Sequence, residues 1–598
     1  MRNRVKILVI ILIVSLSFVL TTCDMAPTST FIPSLAKTGN YVQAHNEGTW
    51  YQIFPWSFYD SNGDGIGDLN GIAQKLDYLN DSNTYAHREA IAQHGECNHS
   101  LHVDGIWLCP IMPSPSYHKY DTKDYMDIDP TFGTLDDFRI LLKKCHERGI
   151  KLIIDFVMNH SSEQHPWFQK ALEEVRSGHP GRYASYYNFY YGATPPENYK
   201  FKTADSNGLY SYYKWWGKAA ENVWWEGSFW TGMPDLNWDS QALRDEFKEI
   251  VKFWLGMGLD GFRLDATAWP YRSLGMERFW DGVDDQEKNI ELWTWFNEIC
   301  KEVNPNVFLV GECWEGEDTI ANYYRSGMNY FAFQFSTQNG AGGSVLWGTK
   351  GNGQDWVNSV TYWNRNIKMR NPDAISVPFL SNHDQDRSAH FFARDQRKLG
   401  ASLLTLAPGA PFIYYGEEIG QTSGAGFEYP DSNRRGPMVW TWPKSAGMTE
   451  PPPEWTWAEQ APNPENGGLS VEDQLKDENS LLRVYIRANN LKKKYPFIAW
   501  GDIESLNKQI DIKEIAAYRV IDNDSNSPTY GQSVVVAHNT NYEHDIGFKL
   551  PTGKIPDTHE LPGYSVINPS RKPTITITDT DDHLVNLPPY SSAIIEEE

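Results

Sequence analysis

Residues 135–160 read LDDFRILLKKCHERGIKLIIDFVMNH. Over Leu135–Arg148 the apolar residues recur at helical spacing. Over Lys151–Val157 they form a short continuous run that turns polar at Asn159 and His160. A helix feeding a short apolar strand is one unit of a parallel α/β fold. The unit repeats on both sides. Further apolar runs lie at Trp50–Phe54, Gly105–Ile111, Gly261–Ala266, Val307–Gly311, Tyr330–Phe335, Ala374–Leu380 and Pro411–Tyr415. Helices over Gln241–Met257 and Ile290–Val303 precede the fourth and fifth. Strands alternating with helices in this number predict a (β/α)₈ barrel of the α/β class.

Outward from the barrel, the long segment from His160 to Asp235 is rich in Tyr, Trp and Gly and shows no helical periodicity. It is expected to be a small domain, residues 161–235, inserted after the third strand. The barrel is thereby split into 41–160 and 236–498. Residues 441–470 read as irregular loop and Leu481–Lys494 as a final helix. Beyond Trp500, short alternating runs at Ile515–Ile521, Ser533–Asn539 and Thr574–Ile577 predict an all-β sandwich over 499–598.

The first residues are basic at Arg2, Arg4 and Lys6, then apolar from Ile7 to Leu20, ending at Leu20-Thr21-Thr22-Cys23. Residues 1–22 read as a secretory signal. Residues 23–40 then form a polar tether. The other cysteines (Cys97, Cys109, Cys145, Cys300, Cys313) are odd in number and irregular in spacing, so no disulfide framework is expected. The net charge of −24, from 53 basic and 77 acidic residues, opposes nucleic-acid binding. The 24 Trp, 32 Tyr and 27 Phe suit both a large core and the stacking of sugar rings.

In such a barrel the reacting groups lie at the C-terminal ends of the strands. There the third strand offers Asn159-His160, the fourth Arg263-Leu264-Asp265, the fifth Gly311-Glu312 and the seventh Asn382-His383-Asp384. These segments, with Met233–Asn237 and Tyr414–Glu418, resemble the signature regions of the α-amylase superfamily, the family 13 glycoside hydrolases. The likeness covers nearly all of the chain after residue 49. It implies Asp265 as nucleophile, Glu312 as acid/base and Asp384 as the third carboxylate, which favours the distorted sugar. It implies that Arg263 keeps Asp265 ionised, that nearby anions raise the pKa of Glu312, and that His160 and His383 bind glucose hydroxyls. Tyr120 and Asp121 would close the first glucose site. Arg435 would reach the same glucose, with Arg434 as the alternative. Cys23 resembles the lipidated residue of a bacterial lipoprotein.

Two cation sites are expected. Asp60, Asn62, Asp64 and Asp68, with the carbonyl of Ile66, follow the first part of an EF-hand-like calcium loop, although Gly71 stands where its last Glu belongs. An Asx-rich turn without metal is the alternative. Asn159 and Asp235 resemble the superfamily's calcium ligands between barrel and inserted domain. His94, Cys97, His99 and His102 lie in an insertion, residues 83–102, read as solvated surface; they lack the paired-Cys spacing of a zinc site.

The expected activity is retaining, endo-type hydrolysis of α-1,4-glucans by a monomer, secreted and held to a bacterial membrane by its lipid alone, at the cell surface or in the periplasm. The alternatives are an oligo-1,6-glucosidase or α-glucosidase and a 4-α-glucanotransferase. Ala266 and Met233 stand where the oligo-1,6-glucosidases commonly carry Val and Gln. Ala268-Trp269 replaces the Lys-His of many amylases. A non-catalytic binding protein is opposed by the presence of all three carboxylates.

Overall fold

The computed structural model describes residues 48–81, 100–192, 203–204, 209–210, 215–218, 222–271, 285–328, 330–334, 343–422, 430–456, 470–550, 560–577 and 583–597. The signal, Cys23, the tether and most of the 83–102 insertion lie outside them.

Eight parallel strands close into a barrel. They are β1 (Trp50–Ile53), β2 (Gly105–Leu108), β3 (Lys151–Phe156), β4 (Gly261–Leu264), β5 (Phe308–Glu312), β6 (Tyr330–Gln334), β7 (Ile375–Phe379) and β8 (Phe412–Tyr414). Each pairs with its sequence neighbour, and Trp50 pairs with Phe412 to close the ring. Trp50 stacks on Phe308 at 4.2 Å and on Phe412 at 5.5 Å, filling the N-terminal end. Gly105 makes room for it, because a Cβ there would meet the indole at 2.3 Å.

Helices Leu135–Glu147 and Gln241–Gly256 stand close to their predicted bounds. The first starts on a capping box between Thr134 and Asp137. The helix expected at Ile290 begins earlier, at Asp285. Strand β4 stops at Leu264 rather than Ala266, because Ala266 has a left-handed backbone (φ 51°) that cannot continue a strand.

The inserted segment corrects one reading. It contains a helix, Pro166–Arg176, that starts with Pro at its first turn and buries Phe168, Ala171, Leu172 and Val175. Those four recur at i, i+3, i+4 and i+7, a helical period confined to eleven residues and diluted by the aromatic-rich remainder. A sheet of Phe189–Tyr191, Val223–Glu226 and Trp215–Lys218 follows.

The C-terminal strands form antiparallel sheets of five and three strands. Ile515, Ala517, Val535, Ala537, Ala593 and Ile595 of the larger sheet meet Phe548, Ile575 and Val585 of the smaller one in a core of their own. The alternate residues Ala516, Tyr518, Val520, Val534, Val536 and Ile594 join the barrel's core. The larger sheet is therefore buried on both faces, which the period of two along a strand allows. Cys109, Cys145, Cys300 and Cys313 are buried free thiols. Among the described residues no helix is long and apolar enough to cross a membrane.

Candidate active site

At the C-terminal end of the barrel, Arg263 sits among carboxylates. Its side chain is 3% exposed. Its Nη1 lies 2.9 Å from Asp155 and 2.7 Å from Asp265, and its Nη2 lies 2.8 Å from Glu312. The strands dictate this meeting. Asp155 and Arg263 are in register on β3 and β4, and Arg263 and Asp265, two apart, share a face. Val310 is in register with Arg263, so Glu312 lies two residues beyond it on β5, on the same inward face.

Glu312 is gripped from several sides. Oε1 accepts the indole N–H of Trp314 at 2.7 Å in addition to the Arg263 pair, and Oε2 accepts the backbone N–H of Ala266 at 3.0 Å. Its own carbonyl accepts the N–H of Thr267 at 3.0 Å and the Thr267 hydroxyl.

Asp384 follows β7. His383 Nε2 lies 2.9 Å from its Oδ2, and Arg435 Nη2 lies 2.9 Å from its Oδ1. Arg435 also donates to the His383 carbonyl and to the Tyr117 hydroxyl. Arg434 instead pairs with Asp386 at 3.0 Å, so Arg435 is the arginine at the third carboxylate. The Tyr120 ring lies parallel to His383 at 5.4 Å and its hydroxyl donates to Asp155 at 3.0 Å. Asp121 Oδ1 accepts the hydroxyls of Ser114, at 2.6 Å, and Ser116. His160 is buried; its Nδ1 lies 3.3 Å from the Asn159 side-chain amide, and its ring also hydrogen-bonds the Tyr120 backbone.

Burial pushes the Asp265 carboxyl up to about 8; Glu312, Asp155 and Asp384 add to the rise and Arg263 opposes it. Burial works against a charge on His383, but Asp384 outweighs it and raises the imidazole to about 10. Asp384 is held well below the carboxylate range: burial would raise it, and His383, Arg435 and Arg263 overcome that. Burial lowers His160 to about 3, so its ring is neutral.

Several members of the site are absent from the sequence reading. Asp155 is fully buried and accepts from Arg263, Tyr120 and the Trp107 indole at 3.2 Å. Its signal is an acid inside an apolar strand. The Gln52 amide lies 2.8 Å from His383 Nδ1. Trp314, 44% exposed, stands at the mouth. The Glu417 and Glu418 pair lies buried after β8. Glu417 accepts Ser381 and Tyr485 hydroxyls, and burial lifts it to about 7; Glu418 accepts those of Tyr51 and Tyr78.

The first cation loop turns its oxygens onto its own backbone. Asp60 Oδ1 accepts the amides of Asn62 and Gly63, and Oδ2 that of Gly65. Asn62 accepts from Asp64, Asp64 from Ile66, and Asp68 from Ser61 and Gly71. At the second site Asn159 Nδ2 donates to Asp235 Oδ1 at 3.1 Å, while Asn159 Oδ1 is buried and accepts no hydrogen bond. Asp235 also accepts the Ser228 N–H and hydroxyl. Among the described residues, no group of three or more His, Cys, Asp or Glu side chains is placed to hold a metal. Of the His/Cys insertion only His102 is described, and it is buried.

The family model for the α-amylase catalytic domain matches residues 52–87 and 89–501. Alpha-amylase 3 of Dictyoglomus thermophilum is 34% identical over 526 residues, 86% of this chain and 90% of that protein. The oligo-1,6-glucosidase of Parageobacillus thermoglucosidasius is 30% identical over 515 residues, 76% of this chain and 84% of that protein. Among solved structures, the α-amylase from H. orenii superposes with a TM-score of 0.74 at 32% identity, covering 92% of this chain and 100% of that one.

Proposed function

Because the chain belongs to the α-amylase family of glycoside hydrolases, we propose that it is a retaining, endo-acting hydrolase of α-1,4-linked glucans such as starch, glycogen or maltooligosaccharides. The observation that carries this reading is the gathering of Asp265, Glu312 and Asp384 at one end of the barrel around Arg263 and Arg435. One guanidinium bridges Asp265 and Glu312. That suits the ~5 Å carboxyl separation of retaining enzymes better than the wider gap that admits a water in inverting ones.

In the first step Asp265 attacks the anomeric carbon and the glycosidic C–O bond breaks. The proton of Glu312 passes to the leaving oxygen, giving a glycosyl ester on Asp265. In the second, Glu312 takes a proton from water, the water oxygen attacks the same carbon, and the ester bond breaks. Each turnover restores both carboxyls and consumes one water. Asp384, kept anionic by His383 and Arg435, hydrogen-bonds sugar hydroxyls and stabilises positive charge developing on the ring. His160, kept neutral by burial after β3, would contribute its ring to binding of the same sugar. Tyr120 lines the non-reducing side.

Calcium is the cation that these hard oxygen donors suit. Asn159, with its unpartnered buried oxygen, and Asp235 would hold one ion between barrel and inserted domain, and the Asp60–Asp68 loop a second. Each would stiffen a loop beside the cleft. The basic and apolar leader with Cys23 supports export and lipid anchoring at a bacterial surface or in the periplasm.

Product analysis on starch, maltotetraose, isomaltose and pullulan tests the activity. Short maltooligosaccharides released early from starch are the expected outcome. Glucose from isomaltose alone would favour an oligo-1,6-glucosidase, and lengthened oligosaccharides a glucanotransferase. Asp265→Asn should lower kcat ~10⁴-fold or more; full activity in that variant would remove Asp265 as nucleophile.

A further inference from the structure

The inserted domain carries a concave surface of its own. A groove of about 530 Å³ lies between its small sheet and the chain that leads into helix Gln241–Gly256. That volume falls within the ~300–1,000 Å³ of ordinary ligand sites. None of its lining residues belongs to the group gathered around Arg263 and Arg435.

One wall of the groove is aromatic. Phe189 and Tyr191 stand two apart on one strand and so share a face. Phe189 stacks on Phe168 of helix Pro166–Arg176, with ring centres 6.1 Å apart, and is fixed by that contact. Tyr191 is 55% exposed, and among the described residues it meets no other ring and no hydrogen-bond partner. The strand thus holds a flat aromatic face towards water.

The opposite wall is polar and set in place by its own hydrogen bonds. Asn237 Oδ1 accepts the Asp239 N–H at 3.2 Å, and its Nδ2 donates to the Ser185 carbonyl at 3.1 Å. Asp239 Oδ1 accepts the Tyr271 hydroxyl at 2.9 Å, which leaves Oδ2 open among the described contacts. Asn188 commits its Nδ2 to Glu226 at 2.6 Å and keeps Oδ1 as an acceptor. A pyranose matches this pairing, because its C–H face packs on an aromatic ring while its hydroxyls donate to oxygen acceptors. The one charged lining residue is the acid Asp239, which opposes a phosphorylated or carboxylated ligand.

We infer that this groove is a second, non-catalytic α-glucan site. Tyr191 stacks on one glucose ring, and Asp239 and Asn188 accept hydroxyls of that glucose and its neighbour. The groove tethers a polymer to the inserted domain while the cleft works on the same chain or on one beside it. The identity of the occupant rests on the proposed α-glucan substrate.

The test compares Tyr191→Ala with Tyr191→Phe, which keeps the ring. Binding is read by co-sedimentation with granular starch in an Asp265→Asn background, so that the granules survive the measurement. Activity is read on granular starch and on maltotetraose with Asp265 intact. Tyr191→Ala should weaken granule binding ~5- to 10-fold and slow granule hydrolysis ~3-fold or more, with kcat/KM on maltotetraose within ~2-fold of wild type. Tyr191→Phe should stay within ~2-fold in all three. If the alanine variant does not fold, Ser185→Trp, which fills the groove from an exposed position, gives the same comparison. Granule binding within ~2-fold of the parent, or equal losses on granules and maltotetraose, would overturn the inference. A wild type that binds granules but releases no maltooligosaccharide from starch would instead overturn the proposed function.

Discussion

Replacing Arg263 with glutamine removes the one cation shared by Asp155, Asp265 and Glu312. At an effective permittivity of ~20, a unit pair ~4 Å apart is worth ~4 kcal/mol. At ~1.36 kcal/mol per pH unit, that is ~3 units for a single carboxyl. Asp155, fully buried, absorbs part of the loss by taking up a proton itself. A shift of ~1–2 units should then reach Asp265. In the intact site burial pushes the Asp265 carboxyl up to about 8, so the acid limb of kcat/KM, which follows ionisation of the nucleophile, should lie near there. In Arg263→Gln that limb moves up, because the guanidinium that opposes the rise is gone. Below the new acid limb kcat/KM on maltotetraose falls ~10- to 100-fold and recovers as pH rises. The assay is the pH–rate profile from about pH 4 to about pH 10, with circular dichroism at each point to confirm folding. Arg263→Lys keeps a charge but cannot face three carboxylates, so its shift should be smaller. A folded glutamine variant whose acid limb stays within ~0.3 units of wild type would refute the reasoning.

The His383–Asp384 pair predicts a pH-dependent stability. His383 is raised from an ordinary 6.5 to about 10, so its stabilisation is present in full below about 6.5 and lost as pH climbs through about 10. The wild-type unfolding free energy should fall more steeply between those values than that of Asp384→Asn, by on the order of a few kcal/mol; parallel curves would sever the link. Chelation should lower Tm by several degrees, and Asn159→Ala should lessen that response if the orphan oxygen binds calcium; a Tm indifferent to chelator and to added calcium would remove both sites.

What the sequence displays is periodicity and the ends of periodic runs. Lys151–Phe156 and Gly261–Leu264 were legible because their apolar side chains fill a barrel, and Asp265, Glu312 and Asp384 because they end such runs. Asp155 was not, since burial of an acid inside a strand depends on a guanidinium from the next strand. Gln52 meets His383 across the closed ring, a contact that no local pattern announces. The helix Pro166–Arg176 escaped notice because its period is short and flanked by aromatic residues that follow none. The left-handed turn at Ala266 has no compositional signal, because alanine is not a residue that favours it.

The larger C-terminal sheet, buried on both faces, bears on how the molecule comes apart. Its strand Ile515–Ile521 gives Ala517 to the sandwich and Tyr518 to the barrel. The Tyr518 hydroxyl bonds the carbonyl of Leu406, and that of Tyr590 the carbonyl of Thr349. Cutting the chain near residue 499 would bare an apolar wall on the barrel and leave half a sandwich with a second such wall. The C-terminal sheets are in this sense a load shared with the catalytic scaffold, and the two should melt in one cooperative event rather than in sequence.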